Sequence, residues 1–384
     1  MRHIVVKSAL EALYFSGAHR LMRPFMGGVG AILMLHHVRP PRRDGFQPNR
    51  RFETAPHFLE IILRRLRRSG VDFVSLDEVH RRLTQRDFRR RFIAVTLDDG
   101  YRDNKEWAYP ILKQREVPFA IYVPTSFPDR LGQLWWSALE QIVGGKDAIV
   151  LEMDGRDCRL SCRSLREKRQ VYDCLYGWLR SLPSESAMRD AVRELAARYG
   201  VDLAAVCQAE CMSWEEIAAL AADPLVTIGA HSVNHVALAK ASADVVRSEL
   251  KMSRAVLEAA LGRAPRHLAY PYGDPSDAGP REYAIAAELG FLTAVTAQPG
   301  VLFPEHAEHL TALPRIPING EFQRGRYVDV LVSGASVALA NGFRRQAEGG
   351  ISLRSQHAPA DAQERQAALN EVVEGVRHLG NDIR

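Results

Sequence analysis

Short apolar runs alternate along the chain with longer stretches in which apolar residues recur every three or four positions. AILML (31–35), FVSL (73–76), FIAVTL (92–97), FAIYV (119–123), VTIGA (226–230), HLAY (267–270), FLTAVT (291–296) and LPRIPI (313–318) are continuously apolar and read as strands buried on both faces. Helical periodicity predicts helices near 55–69, 77–84, 104–116, 214–222, 242–261 and 280–289. Asp103, Ser213, Ser242 and Pro280 serve as start signals, and Gly70, Gly262 and Gly290 as stops. Strand followed by helix, repeated, predicts an α/β fold with a parallel sheet under helical cover, a barrel or a doubly wound sheet, whose functional groups gather at strand C-terminal ends.

The rhythm breaks at 131–212, where two helical patterns (163–181 and 184–199) flank Leu182-Pro183; this stretch reads as a helical insertion that shapes a substrate cleft. Residues 1–30 form an N-terminal amphipathic segment. Residues 31–130 and 213–320 form the α/β core. Beyond 319 the core is read as finished: residues 321–384 form a C-terminal helical, partly disordered tail, polar from 344 onward, with one amphipathic stretch near 360–378. Read as a single helix, the N-terminal segment places Val6, Leu10, Leu13, Leu21 and Phe25 near one face with Lys7, Arg20 and Arg23 around it. That is either a helix packed on the fold or an interfacial anchor.

Composition narrows the class. At 46% hydrophobic and 25% charged residues the chain is an ordinary globular protein, and it contains no apolar run near the ~20 residues of a membrane span. The net charge of +5 includes arginine clusters at 42–43, 64–68 and 89–91, but Phe58, Ile62 and Leu66 recur between the middle set, so those arginines decorate the wet side of a helix. No nucleic-acid motif accompanies them, and a nucleic-acid partner is not expected. Cys158, Cys162, Cys174, Cys207 and Cys211 lie in one segment, two pairs at the spacing of one helical turn. An odd count without a zinc-type spacing or a secretory leader predicts reduced, buried thiols in a cytoplasmic protein, peripheral to the inner face of the membrane if the N-terminal segment is an anchor.

Three segments carry candidate chemistry. FIAVTL runs into Asp98-Asp99-Gly100, placing two mutually repelling carboxylates at the end of a buried strand, an arrangement tolerated when a cation or a catalytic task offsets it; the alternative is a turn with a helix cap. VTIGA runs into His231-Ser232-Val233-Asn234-His235, two imidazoles which, four apart on a helical turn, would face the same side. With one carboxylate they form a two-histidine, one-carboxylate set that leaves coordination positions open. HLAYPYGDPSD (267–277) follows a third strand and reads as a rigid loop or as a wall offering backbone N–H groups and the Tyr272 ring to a ligand.

TLDDGY (96–101), HSVNH (231–235) and AYPYG (269–273), in that order on a strand–helix chain, resemble the first three motifs of the polysaccharide deacetylase family, the NodB-homology carbohydrate esterases; AILMLHHV (31–38) is also similar to starts common there. The resemblance spans roughly 31–320 outside the insertion. It implies a distorted (β/α) barrel of about seven strands and hydrolytic removal of N-acetyl groups from amino sugars of a polysaccharide or lipid-linked glycan precursor. It further implies a divalent ion of the Zn²⁺ type held by Asp99, His231 and His235, with Asp98 as base and the Tyr272 backbone N–H as oxyanion donor.

The pattern also departs from the family. Ala269 stands where many members carry an arginine that orients the base, as in the branch resembling exopolysaccharide poly-N-acetylglucosamine deacetylases, and Arg315 is the candidate replacement. Leu313 fits the leucine expected against the acetyl methyl. No histidine follows it closely, so the general acid is unassigned between His309 and His36. A fourth-motif Trp is missing, and Trp135 or Trp136 would either stack on sugar or pack. Alternatives are a deformylase or O-deacetylase using the same site, an iron oxygenase built on the same three ligands, and a non-catalytic glycan binder.

Overall fold

The computed structural model describes residues 2–340 except Asp44 and Asn319, so the predicted amphipathic stretch at 360–378 lies outside the described residues. The described chain divides into two compact units. One comprises residues up to 42, 50–133 and 207 onward; the other comprises 43–49 and 134–206.

The strands in chain order are β1 (Gly30–Leu35), β2 (His37–Val38), β3 (Glu53–Thr54), β4 (Asp72–Phe73), β5 (Phe92–Leu97), β6 (Phe119–Val123), β7 (Ala148–Met153), β8 (Arg156–Ser161), β9 (Val226–Ala230), β10 (His267–Ala269), β11 (Thr293–Pro299) and β12 (Leu313–Pro317). In the first unit the order β1-β12-β11-β10-β9-β6-β5 closes through β5 back onto β1, with β4 appended to β5. Every pairing is parallel, so this is a closed seven-stranded (β/α) barrel. Side chains alternate between two cores. Ile32, Phe92, Ala94, Ala120, Tyr122, Ala269, Val295 and Leu313 fill the interior, and Leu33, Val95, Ile121, Ile228 and Leu268 meet the surrounding helices. That double burial explains why the strand sequences are apolar without alternation.

The helices follow their sequence signals. Pro56–Arg68 buries Phe58, Leu59, Ile62, Leu63 and Leu66 and leaves Arg64, Arg67 and Arg68 outside. Ser213 opens Trp214–Ala221 with a full capping box with Glu216, and Ser242 caps Ala243–Leu261. Asp103 is no cap: its side chain is engaged elsewhere, and the helix starts with a wide turn at Asn104–Ala108 before Tyr109–Gln114, where Pro110 cannot donate a backbone bond. Two expectations fail. The N-terminal segment is two helices, Arg2–Phe15 and Ala18–Met26, broken at a left-handed Gly17. Leu10 and Leu13 are packed, whereas Val6, Leu21 and Phe25 are exposed. The core also does not end at 320: helix Gly325–Val332 buries Tyr327, Val328, Val330 and Val332.

The second unit holds helix Trp135–Gly144, the antiparallel hairpin β7–β8 and helices Leu165–Ser181 and Glu185–Tyr199. The hairpin, absent from the sequence reading, buries Ile149, Leu151 and Met153 in alternation and turns on left-handed Asp154 and Gly155. Trp135 and Trp136 are buried in this unit, and the Asn49 amide donates to the Trp136 carbonyl and to Glu140 while accepting from the Tyr172 hydroxyl. Cys158 lies on β8 rather than a helix, so it shares no helical turn with Cys162. All five thiols are free, and the cysteines fall in different units.

Candidate active site

The site is built at the C-terminal ends of the barrel strands. Asp98 prolongs the β5–β1 pairing by one step, its N–H donating to the Leu35 carbonyl at 2.9 Å. The chain then swings away through left-handed backbone at Asp99 (φ 72°) and Gly100 (φ 64°). After β9, HSVNH forms a loop and not the helical turn its spacing suggested. The Ser232 hydroxyl accepts the His235 N–H at 3.0 Å, Ser232 and His235 are both left-handed, and the two rings end 4.9 Å apart. Glu249, on helix Ala243–Leu261, anchors that loop by accepting the Val233 and Asn234 N–H groups and the Asn234 amide. Nothing in the sequence distinguished Glu249 from a wet-face acid.

Asp99, His231 and His235 converge. Their nearest atoms lie within 4.8 Å of one another, with His235 Nε2 at 3.2 Å and His231 Nε2 at 3.5 Å from Asp99 Oδ1, all three residues buried. The donor set fits a divalent ion on two counts. Bonds of about 2.0–2.1 Å at tetrahedral angles put neighbouring ligand atoms about 3.3 Å apart, close to these separations. Hydrogen bonding fits as well. His231 Nδ1 sits 2.7 Å from the Ala269 carbonyl, which can only accept, so the proton of the neutral ring is there and Nε2 turns a lone pair toward a carboxylate oxygen that has no hydrogen-bond donor. Two acceptors aimed at each other call for a cation between them. Burial opposes ionisation of Asp99, but the adjoining His235 and His231 hold its carboxyl well below the usual range.

Asp98, its neighbour, is gripped instead by Arg315. The two guanidinium nitrogens reach its two oxygens at 2.7 Å each, while Arg315 Nε donates to the Thr296 carbonyl at 2.8 Å and Nη1 to the Thr96 hydroxyl at 3.2 Å. Arg315 is among the largest fully buried side chains described. Desolvation pushes the Asp98 pKa up, and the Arg315 charge and forked hydrogen bonds outweigh it, so the carboxyl ends below its ordinary value.

The remaining sequence candidates separate. His36 directly follows β1; burial lowers its pKa, opposed by the nearby charges of Asp98 and Asp99. His309 is exposed beside Leu310, whose carbonyl accepts from Ala294 at the beginning of β11, so it belongs to the opposite end of the barrel. Leu313 begins β12 and is packed in the barrel interior with Ile32, Phe92 and Val295, two residues before Arg315; it is not among the carboxylates and imidazoles. The two hypothetical sugar-stacking residues, Trp135 and Trp136, are core side chains of the other unit. Tyr272 sits on a tight turn (φ 60°), its ring 4.7 Å from that of His235 and tilted 68° to it. One brace escaped the sequence reading. His37 Nδ1 meets Asp103 at 2.6 Å and stacks on Tyr101 at 3.6 Å, and the Val38 N–H donates to the same carboxylate, tying the end of β1 to the loop after the aspartate pair.

Residues 184–293 match the family described as polysaccharide deacetylase, a span that contains both histidines and AYPYG. No curated relative matches the chain. Among solved structures it is similar to the deacetylase PplD of Streptococcus pyogenes in complex with acetate (19% identity, 76% of this chain and 92% of that one, TM-score 0.49). It is also similar to IcaB from Ammonifex degensii (19%, 79% and 97%, 0.48) and to the BpsB deacetylase domain from Bordetella bronchiseptica (17%, 75% and 95%, 0.44). The family match over residues 184–293 thus falls on the strand-end histidines of a closed parallel barrel, and over that span the chain is similar to the polysaccharide deacetylase family.

Proposed function

We propose that the protein removes N-acetyl groups from amino sugars of a polysaccharide or glycan precursor, with a divalent ion of the Zn²⁺ type held by Asp99, His231 and His235. The observation that carries this reading is the division of labour between adjacent carboxylates: Asp99 faces two imidazoles, and Asp98 faces a buried arginine. A bound ion would polarise the amide carbonyl and bring the attacking water toward a pKa of about 7. Asp98, kept ionised by Arg315, takes the proton of that water; each of its oxygens retains a lone pair beyond the one given to the guanidinium. The Tyr272 N–H is the oxyanion donor in this reading. His36, favoured neutral by burial and within electrostatic reach of Asp98 and Asp99, would be the group that collects a proton and delivers it to the leaving nitrogen.

The test is hydrolysis of an N-acetylated glucosamine oligosaccharide by zinc-loaded protein, with acetate, formate and free amine all quantified. Acetate with equimolar amine is expected. Asp98→Asn should lower kcat by about 10²–10⁴-fold while retaining metal, and His231→Ala should lose the metal itself. An Asp98→Asn rate equal to wild type, or formate as product, overturns the reading.

A further inference from the structure

The helix pair before the barrel carries apolar side chains where a globular surface carries polar ones. Val5, Phe15, Leu21 and Phe25 are 67, 73, 76 and 65% exposed. The rest of the pair is docked: Leu10, Leu13 and Tyr14 pack on Tyr327, Val330 and Leu331, and His19 is buried. Leu21 and Phe25 are one turn apart and therefore share a face, roughly opposite His19 and Met26. Leu339, on the neighbouring helix Ala335–Ala340, is exposed too. Single exposed hydrophobes need no explanation, but a cluster drawn from adjoining elements of one docked pair does.

Charge says what would cover the cluster. Lys7, Arg20 and Arg23 are exposed, and among the described residues none forms an ion pair; Arg20 and Arg23 bracket Leu21 in the sequence. The other nearby cations, Arg324 and Arg326, are committed to Glu11. Uncompensated basic residues beside protruding Leu and Phe match an anionic lipid surface, with the rings entering the headgroup boundary and the cations meeting phosphate. Helix Ala18–Met26, nine residues and so about 14 Å long, reaches less than halfway across a hydrocarbon core.

We infer that this face is a peripheral docking surface for anionic phospholipid bilayers. Its place in the fold gives the contact a direction. Gly27 and Gly28 lead straight into β1, and the Gly27 carbonyl accepts from Arg91, the residue before β5, so the helix pair adjoins the end of the barrel where strands begin. Asp98, Asp99 and His231 lie where strands finish. A docked enzyme therefore presents its site away from the lipid, to glycan in the aqueous phase.

The experiment is co-sedimentation of the full chain with vesicles of phosphatidylcholine alone and of phosphatidylcholine with 30% phosphatidylglycerol. Wild type should partition to the anionic vesicles roughly 30- to 150-fold more strongly than to the neutral ones, as expected for two to three basic contacts. Leu21→Ser with Phe25→Ser should cut that partitioning at least tenfold, and Arg20→Glu with Arg23→Glu should erase the anionic preference. Thermal melts matching wild type certify folding of each variant. Equal partitioning of wild type and the Leu21→Ser/Phe25→Ser variant overturns the inference. So does a dimer in sedimentation velocity that the same variant dissociates without any vesicle binding, which would make the face a contact between copies of the chain.

Discussion

Asp98 and Arg315 are a buried ion pair, so removing one leaves the other without compensation. Arg315→Gln should cost about 3–5 kcal/mol in urea denaturation, and Asp98→Asn added to it should restore much of that loss, because no isolated charge remains. The pH dependence follows from the direction of the shift. The Asp98 pKa is depressed in the folded protein, so the pair contributes stability above the ordinary carboxylate range and loses it as pH falls through the folded value. If Asp98 is the base, as proposed, then in Arg315→Gln the acidic limb of kcat/KM should move toward neutral pH; an unmoved limb would deny Arg315 a role in positioning it. At this scale the sequence was informative where side-chain chemistry decides. An aspartate pair and two histidines at strand ends are legible because such groups are costly there without a purpose. His309 and Leu313 were misplaced because a linear motif does not reveal which end of a barrel a loop returns to, nor how deep along a strand a residue sits. Glu249 and His37–Asp103 act through contacts distant in sequence, which no local pattern announces.

Strands and helices of the barrel were readable because each is buried on a predictable face. The hairpin β7–β8 was missed although its signal is present: Asp154-Gly155 between alternating residues is a strong turn cue, concealed by the helical patterns around it. The burial of helix Gly325–Val332 was missed for a different reason. GRYVDVLV is rich in residues that favour strands, and only packing against the fold makes it helical. Glycine separates the two kinds of element constraint. On β9, a Cβ at Gly229 would lie 2.5 Å from the Tyr122 ring and 3.1 Å from the His267 carbonyl, so Gly229→Ala should destabilise by about 1–3 kcal/mol. On helix Leu165–Ser181, a Cβ at Gly177 meets nothing within 4 Å, and Gly177→Ala should stabilise by about 0.5–1 kcal/mol. Chemical denaturation of the two variants checks both signs.

Over the molecule, Asp99 and His231 are brought together by strands far apart in sequence, and the apolar layers inside and outside the barrel, not the ligands, set those strands in register. Small zinc modules need their ion to fold; here the hydrophobic cores suffice to erect the scaffold. Refolding from urea in the presence of a chelator should therefore regenerate the native circular dichroism spectrum, with no turnover until zinc is added back. A chain that stays unfolded under those conditions would contradict this. On the proposed reading an ion would be taken up last, at a finished cradle, so metal supply would govern how many copies are active without governing how many survive.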